Sequence, residues 1–246
     1  MNIAGLNLLI PDKPDPERDA VAAEWERHGG VVVRLGRFWE PPALPANTIR
    51  VYGNEMFCLI LREKLGLSLV TPADDQLLGV PAELLRRTIA KRKLGEADTF
   101  EFPTFAKTLV PKLIPSQVYA TVADLRGATE GLEPGTELLL SQPVSFTAEV
   151  RTFVLDGRVL DAAAYENDAS LVDARTIVER LVHSVTLPAA VVVDVGLLAD
   201  GTWAVIELNA AWGAGLNGCD AARVLPAIAA ASNPDAALGS SVEATD

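Results

Sequence analysis

The sequence has little cysteine, little histidine and a deficit of positive charge. Its 246 residues include two cysteines and two histidines. Cys58 and Cys219 lie far apart without a C-x-x-C spacing, so neither a disulfide framework nor a zinc site is expected. The net charge of −12 disfavours non-specific nucleic-acid binding, because that binding depends on Lys and Arg neutralising phosphates. We therefore expect buried, unreactive thiols and no nucleic-acid partner.

Long apolar runs and targeting signals are also missing. The segment PAAVVVDVGLLADG meets a charge well before the roughly 20 residues that a membrane-spanning helix needs. The N-terminus lacks the basic region and the small-residue cleavage site of a signal peptide. We expect a globular cytoplasmic protein with no membrane partner, whose 49% apolar residues suffice for a substantial core. The oligomeric state cannot be deduced from the sequence.

The glycines of IELNAAWGAGLNG, residues 206–218, allow two interpretations. Gly213, Gly215 and Gly218 form G-x-G-x-x-G, which is typical of a dinucleotide loop when a βαβ unit and a later acidic residue accompany it. Only one predicted helix and a polar tail follow Gly218, so this interpretation is disfavoured. No G-x-x-x-x-G-K-[ST] loop occurs either. The favoured interpretation is that the glycines allow a tight turn beside a metal site.

Strand and helix patterns alternate along the first third of the chain. NIAGLNLLIP and VVVRLGRF are predicted strands, and DPERDAVAAEWERHGG between them is a predicted helix with an acidic start and a Gly-Gly stop. IRVYG and NEMFCLILREKLGL continue the pattern as a strand and a helix up to TPADDQ, where we expect a boundary. The pattern is typical of a small α/β unit over residues 1–75.

The middle of the chain mixes helices and strands, and the last third contains two hairpins. PAELLRRTIAKRKLG predicts a basic helix from Pro81 to Gly95, and a solvated face is the favoured role for its charges. Asp156-Gly157 and Asp200-Gly201 predict tight turns between strands, since both turn positions need a positive φ. A helix is predicted between the hairpins, another follows them, and residues 233–246 resemble a frayed tail. The fold class is α/β.

The second hairpin brings acidic residues together. A two-residue turn at Asp200-Gly201 places Asp194 directly opposite Glu207, and Asn209 emerges on the same face of the strand as Glu207. Two carboxylates and an amide oxygen are ligands that Mg²⁺ takes together with waters and phosphates. The residues therefore indicate a metal–nucleotide site, with ordinary solvent-exposed acids as the alternative.

Three further charged side chains are candidates for the same site. Equivalent counting around Asp156-Gly157 places Arg151 opposite Ala162 and Glu149 opposite Ala164, and the small alanines leave room for a ligand. An exposed Glu–Arg pair is the alternative. Lys107 in TFAKTLV shares a face with two apolar residues, so its ammonium either reaches an edge of the sheet or meets an anion such as phosphate.

Three segments carry a resemblance to a known family: FAKTLVPK, LLLSQPVSFTAEVRTFV and VVDVGLLADGTWAVIELNAAW, in this order. Over roughly residues 80–225 the chain resembles the ATP-grasp superfamily. It is most similar to the divergent clade named for two arginines and one lysine, which includes a eukaryotic protein that assists assembly of a translation initiation factor. The resemblance implies an α+β ATP-grasp fold, with a pre-ATP-grasp unit over 1–75, an N-lobe over 76–141 and a C-lobe over 142–232.

The resemblance also implies roles for individual residues. Lys107 would contact the nucleotide phosphates, and Arg151 would lie near the γ-phosphate or an acyl phosphate. The loop 111–117, PKLIPSQ, lacks the glycines that cover phosphates in most of the family, which makes Lys112 a possible substitute. Arg87 or Arg92 would supply the other basic contact of the clade. The remaining assignments are adenine and nucleotide contacts from Ser141, Gln142, Val144 and Glu149, and Mg²⁺ ligands from Asp194, Glu207 and Asn209.

Taken together, the sequence predicts an ATP- and Mg²⁺-dependent carboxylate–amine ligase that works through an acyl phosphate. The clade suggests a carboxylate-bearing peptide or protein as the substrate. The alternative from another class is an ATP-binding assembly factor that shapes a surface for a protein partner without forming a bond. A third interpretation is a structural α/β domain with an inactive site.

Overall fold

The computed structural model describes residues 3–110 and 112–234 and has the expected mixed α/β architecture. In the N-terminal region, β1 lies between β2 and β3 in a parallel three-stranded sheet; α1 connects β1 to β2, and α2 follows β3. A single-turn 3-10 helix, Ala46–Thr48, precedes β3. The elements are β1 (Asn7–Pro11), α1 (Pro16–Arg27), β2 (Val31–Leu35), β3 (Ile49–Val51), α2 (Glu55–Leu65) and β4 (Leu67–Leu69).

The middle region is an antiparallel four-stranded sheet in the order β5-β8-β6-β7, packed against a short helix. Two 3-10 segments, Gln76–Gly79 and Leu94–Thr99, flank its first strand. The elements are α3 (Ala82–Leu85), β5 (Ile89–Lys93), β6 (Thr104–Thr108), β7 (Gln117–Tyr119), α4 (Val122–Ala128) and β8 (Glu137–Ser141).

The C-terminal region is a second antiparallel sheet, in the order β10-β9-β11-β12, with a helix on each face. Alternate residues of β11 face opposite sides, so that Val193 packs against α5 while Val192 joins the core around α6. The elements are β9 (Phe146–Leu155), β10 (Arg158–Glu166), α5 (Leu171–Ser184), β11 (Ala190–Leu198), β12 (Trp203–Ala210), α6 (Ala221–Ala230) and β13 (Ser232–Pro234).

The predicted basic helix from Pro81 to Gly95 is wrong. Helix α3 ends after one turn, because Arg86 adopts a left-handed conformation with φ 54°. The chain then continues as β5, which pairs with β8 at the edge of the sheet. Pairing with a neighbouring strand overrides the local helix preference of lysine and arginine here. Charged residues on an edge strand also protect it from pairing with other chains.

The first hairpin has the predicted turn but a different register. Asp156 and Gly157 both have positive φ, at 47° and 74°. Two bulges in β10 shift the pairing, so that Arg151 faces Ala163 rather than Ala162, and Glu149 faces Glu166 rather than Ala164. Simple counting fails because each bulge adds one unpaired residue to β10.

The second hairpin has the predicted pairing for a different reason. The Leu198 N–H donates to the Thr202 carbonyl at 2.8 Å, so the loop contains three residues rather than two. A bulge at Ile206 then adds one residue to β12 and restores the register. The pairing of Asp194 with Glu207 is therefore confirmed.

The N-terminal region and the C-terminal sheet share one apolar core. Trp25 of α1, Phe153 of β9 and Ile228 of α6 belong to the same buried cluster. Strand β13 pairs with β4, so Asn233 and Pro234 form a strand where a frayed tail was expected. The rest of that tail, 235–246, lies outside the described residues, and the division into units at 75 and 141 stays a prediction.

Both cysteines are buried and free, as expected. Burial raises the pKa of the Cys58 thiol, and it raises the pKa of Cys219 to about 12. Neither thiol is therefore ionised near neutral pH. In the described part of the chain, no helix has the length and apolar character needed to cross a membrane.

Candidate active site

Two adjoining cavities form a groove between the middle sheet and β12. The smaller cavity, of about 300 Å³, is lined by β5, β6 and β8 on one side and by Ile206 and Glu207 on the other. The larger, of about 490 Å³, extends past Asn209 towards the start of α2. Leu77, Lys107 and Ser116 line both cavities, so the two are continuous.

The smaller cavity has apolar walls and ends at the segment after β8. Its apolar lining includes Ile89, Phe105, Leu139, Val144 and Phe146. The predicted adenine contacts Ser141, Gln142 and Val144 all line it. The Gln142 N–H already donates to the Thr88 carbonyl at 3.0 Å. In contrast, the Val144 N–H has no partner among the described residues, so it is the backbone donor of this segment that a ligand can use.

Arg87 is fixed in the same cavity by four hydrogen bonds. Its guanidinium donates to the Ser141 hydroxyl and to the carbonyls of Leu85, Val205 and Ile206, at 2.7 to 3.1 Å. Burial lowers the pKa of Arg87. These bonds connect the middle sheet to β12 across the end of the groove. Arg92, the other candidate for the second basic contact, lies exposed on β5 opposite Leu138 and lines neither cavity.

Lys107 lies at the junction of the two cavities. It shares a face of β6 with Phe105, as the alternation predicted, and both side chains are partly exposed to the groove. Within residues 3–110 and 112–234, the Lys107 ammonium has no hydrogen bond and no ion pair. An unpaired ammonium in a concave site is suited to bind an anion.

A row of charged and polar side chains crosses three strands at the opposite wall: Arg151, Asp194, Glu207 and Asn209, hereafter the charged row. Glu207 and Asn209 line the groove, whereas Arg151 and Asp194 lie behind them and line neither cavity. Arg151 is paired with Asp194, and Asp194 with Glu207, in the sheet register. Arg151 donates from Nε to Asp194 Oδ1 at 2.9 Å and from Nη2 to Oδ2 at 2.6 Å. Asn209 Nδ2 donates to Asp194 Oδ2 at 3.2 Å and to Glu207 Oε1 at 2.8 Å. The row is a continuous hydrogen-bonded network.

Burial and charge act in opposite directions on the ion pair in this row. The Asp194 side chain is 0% exposed and that of Arg151 is 11% exposed. Burial raises the pKa of Asp194, and the Arg151 guanidinium opposes that rise. Burial also lowers the pKa of Arg151, but its bonds to Asp194 outweigh this effect and raise the pKa overall. Arg151 stays charged in any case.

The charged row includes oxygen atoms of the kind that bind a magnesium ion. Glu207 and Asn209 reach the groove with a carboxylate and an amide oxygen, which are hard ligands suited to Mg²⁺. Both oxygens of Asp194 accept hydrogen bonds from Arg151 and its side chain is 0% exposed, so the charged row would have to rearrange before Asp194 could bind a metal in the groove. Among the described residues, no group of three Asp, Glu, His or Cys side chains is arranged to hold a metal by itself. The residues fit an ion that also takes ligands from phosphates and water.

The remaining candidates have other partners. Glu149 accepts a hydrogen bond from the Tyr165 hydroxyl instead of pairing with Arg151. The Tyr165 ring lies under the Arg151 guanidinium, 5.7 Å from centroid to Cζ. Lys112 lines the larger cavity and forms an ion pair with Glu55 at 2.6 Å.

Sequence reasoning missed Tyr165 and Glu55. Tyr165 is the unpaired residue of the second bulge in β10, and the bulge turns its side chain towards Glu149. A single sequence gives no signal for this bulge. Glu55 is remote in sequence from Lys112, so only the fold brings them together.

The glycine-rich segment after β12 is a tight loop, in agreement with the interpretation favoured from the sequence. Gly218 has φ 87°, a conformation that other residues adopt with strain. A Cβ atom at Gly215 would lie 2.5 Å from Glu17 Oε2. Glu17 accepts hydrogen bonds from the N–H groups of Leu216 and Asn217, at 2.9 and 2.7 Å. The loop is thus clamped by a carboxylate of α1.

The chain is similar to a known domain family and to several solved structures. Residues 84–227 match the model of an ATP-grasp domain family, the second family of the clade named for two arginines and one lysine. No curated protein matches the sequence significantly.

Several solved structures are similar over almost the whole chain. D-cycloserine synthetase DcsG has 16% identity and a TM-score of 0.57, with 92% of this chain and 99% of that chain covered. ATP-grasp ligase PsnB, complexed with a minimal precursor, has 14% identity, a TM-score of 0.57 and the same coverage. A RimK domain ATP-grasp protein from Sphaerobacter thermophilus has 15% identity and a TM-score of 0.58, covering 90% and 99%. At these identities the similarity shows a shared fold.

Proposed function

The chain belongs to the ATP-grasp family, in the clade named for two arginines and one lysine, and from this premise we propose that it is an ATP- and Mg²⁺-dependent carboxylate–amine ligase. One observation carries the proposal above all. The unpaired Lys107 shares a single groove with Glu207 and Asn209, beside an apolar cavity that has a free backbone donor at Val144. This combination suits a nucleotide whose base, phosphates and metal need different surroundings.

The adenine ring would occupy the apolar cavity of about 300 Å³, with the Val144 N–H as its hydrogen-bond donor. Gln142 would contribute its carbonyl only, since its N–H is bonded to Thr88. The phosphates would then extend to Lys107, where the two cavities meet. Mg²⁺ held by Glu207, Asn209 and Asp194 would neutralise the charge on the β- and γ-phosphates.

The reaction would proceed in two displacements. A carboxylate oxygen of the substrate attacks the γ-phosphorus, so that an O–P bond forms, the bond to the bridging oxygen breaks and ADP leaves. An amine nitrogen then attacks the acyl carbon of the resulting acyl phosphate, releasing phosphate and a proton as the C–N bond forms. Lys107 and Arg151 would stabilise the charge of the transferring phosphoryl group.

Arg151 would have two roles in this scheme. In the structure it binds both oxygens of Asp194, at 2.9 and 2.6 Å. Binding of a metal by Asp194 would displace at least one of these bonds and free guanidinium donors for a phosphoryl oxygen. Metal binding and the positioning of Arg151 would therefore be coupled through a single carboxylate.

We also propose a peptide or protein as the substrate. The larger cavity, of about 490 Å³, opens at the Lys112–Glu55 ion pair. The sequence neighbours of this pair include the exposed apolar side chains of Met56, Val110 and Leu113. The related structure of PsnB was obtained with its precursor peptide PsnA2. Exposed apolar side chains beside residues of a groove are the kind of surface that a peptide covers.

The alternative is an assembly factor that binds ATP without turnover. One observation favours it: both oxygens of the buried Asp194 have hydrogen-bond partners in Arg151 and Asn209, so the charged row is held together without a metal. The two functions differ in their kinetics. The ligase predicts ADP formation that requires both a carboxylate and an amine, whereas the assembly factor predicts tight ATP binding with no ADP under any combination.

The test is an ADP-release assay with pools of peptides that carry free or amidated carboxyl groups, each with and without an amine pool. We expect ADP to form with free carboxylates and to form faster when the amine is added. ATP binding without ADP formation in all pools would contradict the ligase and favour the assembly factor. The absence of ATP binding would favour the third interpretation, a structural domain with an inactive site.

A further inference from the structure

A third cavity, of about 200 Å³, adjoins the groove on the side of the N-terminal region. It shares Asn54, Gly213 and Ala214 with the larger cavity that contains Lys107. The rest of its lining comes mainly from the start of α1, from the end of β3 and from Gly215. No residue of this cavity belongs to the site predicted from the sequence.

Arg18 lines this cavity and lacks most of the hydrogen bonds that its guanidinium can make. Its side chain is only 14% exposed. Nη2 has two long contacts, at 3.4 Å to the Lys13 carbonyl and at 3.4 Å to Asp15 Oδ2. Nε is buried and has no partner in the structure as described. A guanidinium carries five donors, and leaving a buried donor without an acceptor destabilises a protein.

Three other polar side chains of the cavity have partners elsewhere. Asp15 Oδ1 caps helix α1 by accepting the Arg18 backbone N–H at 2.9 Å. Both oxygens of Glu17 accept backbone N–H groups of the loop after β12. The Tyr52 hydroxyl donates to the Ala214 carbonyl at 2.9 Å. The Arg18 guanidinium and the Asn54 amide, whose Oδ1 caps α2, are therefore the lining side chains with donors still available among the described residues, and Arg18 is the cationic one.

We propose that this cavity is a subsite for a carboxylate group of the substrate, held by the Arg18 guanidinium. A planar guanidinium matches the two oxygens of a carboxylate, and such paired hydrogen bonds are among the strongest in proteins. Whole ligands occupy cavities of about 300–1,000 Å³, so a cavity of about 200 Å³ takes one group of a larger molecule. The rest of that molecule extends into the groove towards Lys107. The proposal rests on the proposed function for the identity of the substrate.

The wall of this cavity connects it to the charged row. Arg151 Nη1 donates to the Gly215 carbonyl at 3.0 Å, and Gly215 itself lines the cavity. The next two residues of the same loop are held by Glu17 of α1. A carboxylate bound at Arg18 is thus separated from Arg151 by a single loop, and the two arginines lie on opposite sides of it.

The test uses nuclear magnetic resonance on the full chain labelled with ¹⁵N-arginine. The Arg18 Nε–H signal is identified by its loss in Arg18→Lys. The probe is N-acetylglycine, titrated at constant ionic strength, and N-acetylglycinamide is the matched compound without the carboxylate. We expect a saturable shift of the Arg18 signal with the acid and none with the amide. Arg126, whose exposed pair with Asp98 lies outside the groove, is the control and should not respond.

Two outcomes overturn the subsite: an Arg18 signal that does not move, or one that moves equally with the amide or with sodium chloride. Arg18→Lys should also weaken N-acetylglycine binding by roughly tenfold or more in calorimetry, since lysine cannot form the paired contact. ATP binding, measured on the same samples, separates the two proposals. ATP binding with a silent Arg18 refutes the subsite alone, and a responsive Arg18 without ATP binding refutes the proposed function alone.

Discussion

The two walls of the groove hold their charges in opposite ways. On the wall formed by the middle sheet, Lys107 has no ion pair or hydrogen bond within the described residues. Glu207 and Asn209 line the facing wall, and every member of the charged row to which they belong is hydrogen-bonded to another member. The lysine is therefore ready to receive an anion, whereas the charged row must give up existing bonds before Asp194 can bind anything else.

Under the proposed function, this difference would separate two properties of the groove: its affinity for ATP and its dependence on Mg²⁺. A free ammonium contributes to affinity at once, because it loses only water on binding. A buried ion pair is costly to break, since each partner would be left without a counter-charge. We infer that Lys107 governs nucleotide affinity and that the charged row governs metal dependence.

The largest effect is expected from breaking the buried pair. Asp194→Asn leaves the Arg151 guanidinium buried without a counter-charge, so we expect the free energy of unfolding to fall by about 3 kcal/mol. Urea denaturation measures this change. Asp98→Asn, in an exposed pair with Arg126, is the matched control and should change stability by less than about 1 kcal/mol. Equal stability of Asp194→Asn and the wild type would show that the pair is not formed in solution.

The next effect concerns the free ammonium. Lys107→Met keeps the length of the side chain and removes the charge, so we expect the Kd for Mg-ATP to rise by roughly tenfold or more. Calorimetry measures this change. Lys93→Met, at an exposed position of the edge strand β5 of the same sheet, is the control and should leave the Kd unchanged. A similar loss in both variants would mean that general charge, not this position, determines affinity.

A smaller and opposite effect is expected from Arg151→Met. Removing the guanidinium removes two of the three hydrogen bonds that Asp194 accepts and leaves the one from Asn209, so the Mg²⁺ concentration that half-saturates ATP binding should fall by roughly fivefold. Titration of Mg²⁺ at fixed ATP measures it. An unchanged or higher requirement for Mg²⁺ would indicate that Asp194 is not a metal ligand.

The smallest effect is expected from Tyr165→Phe. This change removes the hydrogen bond to Glu149 but keeps the ring under Arg151, so we expect turnover to fall by about fivefold with little change in the KM for ATP. Tyr165→Leu also removes the ring and should lower turnover further. If the Phe and Leu variants both match the wild type, Tyr165 does not position Arg151.

The order of elements could be predicted from the sequence where pattern and turn chemistry agree. The helix α1 and both turns at Asp-Gly were recognisable from caps and glycines. The basic segment was not, because its strand pairing with β8 depends on residues about 50 positions away. Tertiary pairing of this kind leaves no local signal.

The same limit on prediction from a single sequence applies to the candidate site. The Asp194–Glu207 pairing followed from counting along the hairpin, although the three-residue loop and the bulge at Ile206 had to compensate. The pairing of Arg151 with Asp194 joins strands that are more than 40 residues apart, so the sequence could not distinguish it from a pair with Glu149. Bulges decide which side chains meet, and a single sequence does not reveal them.

The structure also changes the choice of test for the metal site. If Asp194 is judged from the hairpin register alone, Asp194→Asn is a natural test that should remove metal binding and leave the fold intact. Because Asp194 is fully buried against Arg151, that variant would change the stability of the fold as well as metal binding, and the two effects would not be separable. Glu207 is partly exposed in the groove and its one hydrogen bond comes from Asn209, so its replacement disturbs the fold less.

The most direct measurement of the central claim is therefore calorimetry of ATP binding with and without Mg²⁺, on the wild type and on Glu207→Gln. We expect Mg²⁺ to strengthen ATP binding by the wild type and to have no effect on the variant, which should still bind ATP weakly through Lys107. If Glu207→Gln responds to Mg²⁺ as the wild type does, or if the wild type binds no ATP, the groove is not a metal–nucleotide site.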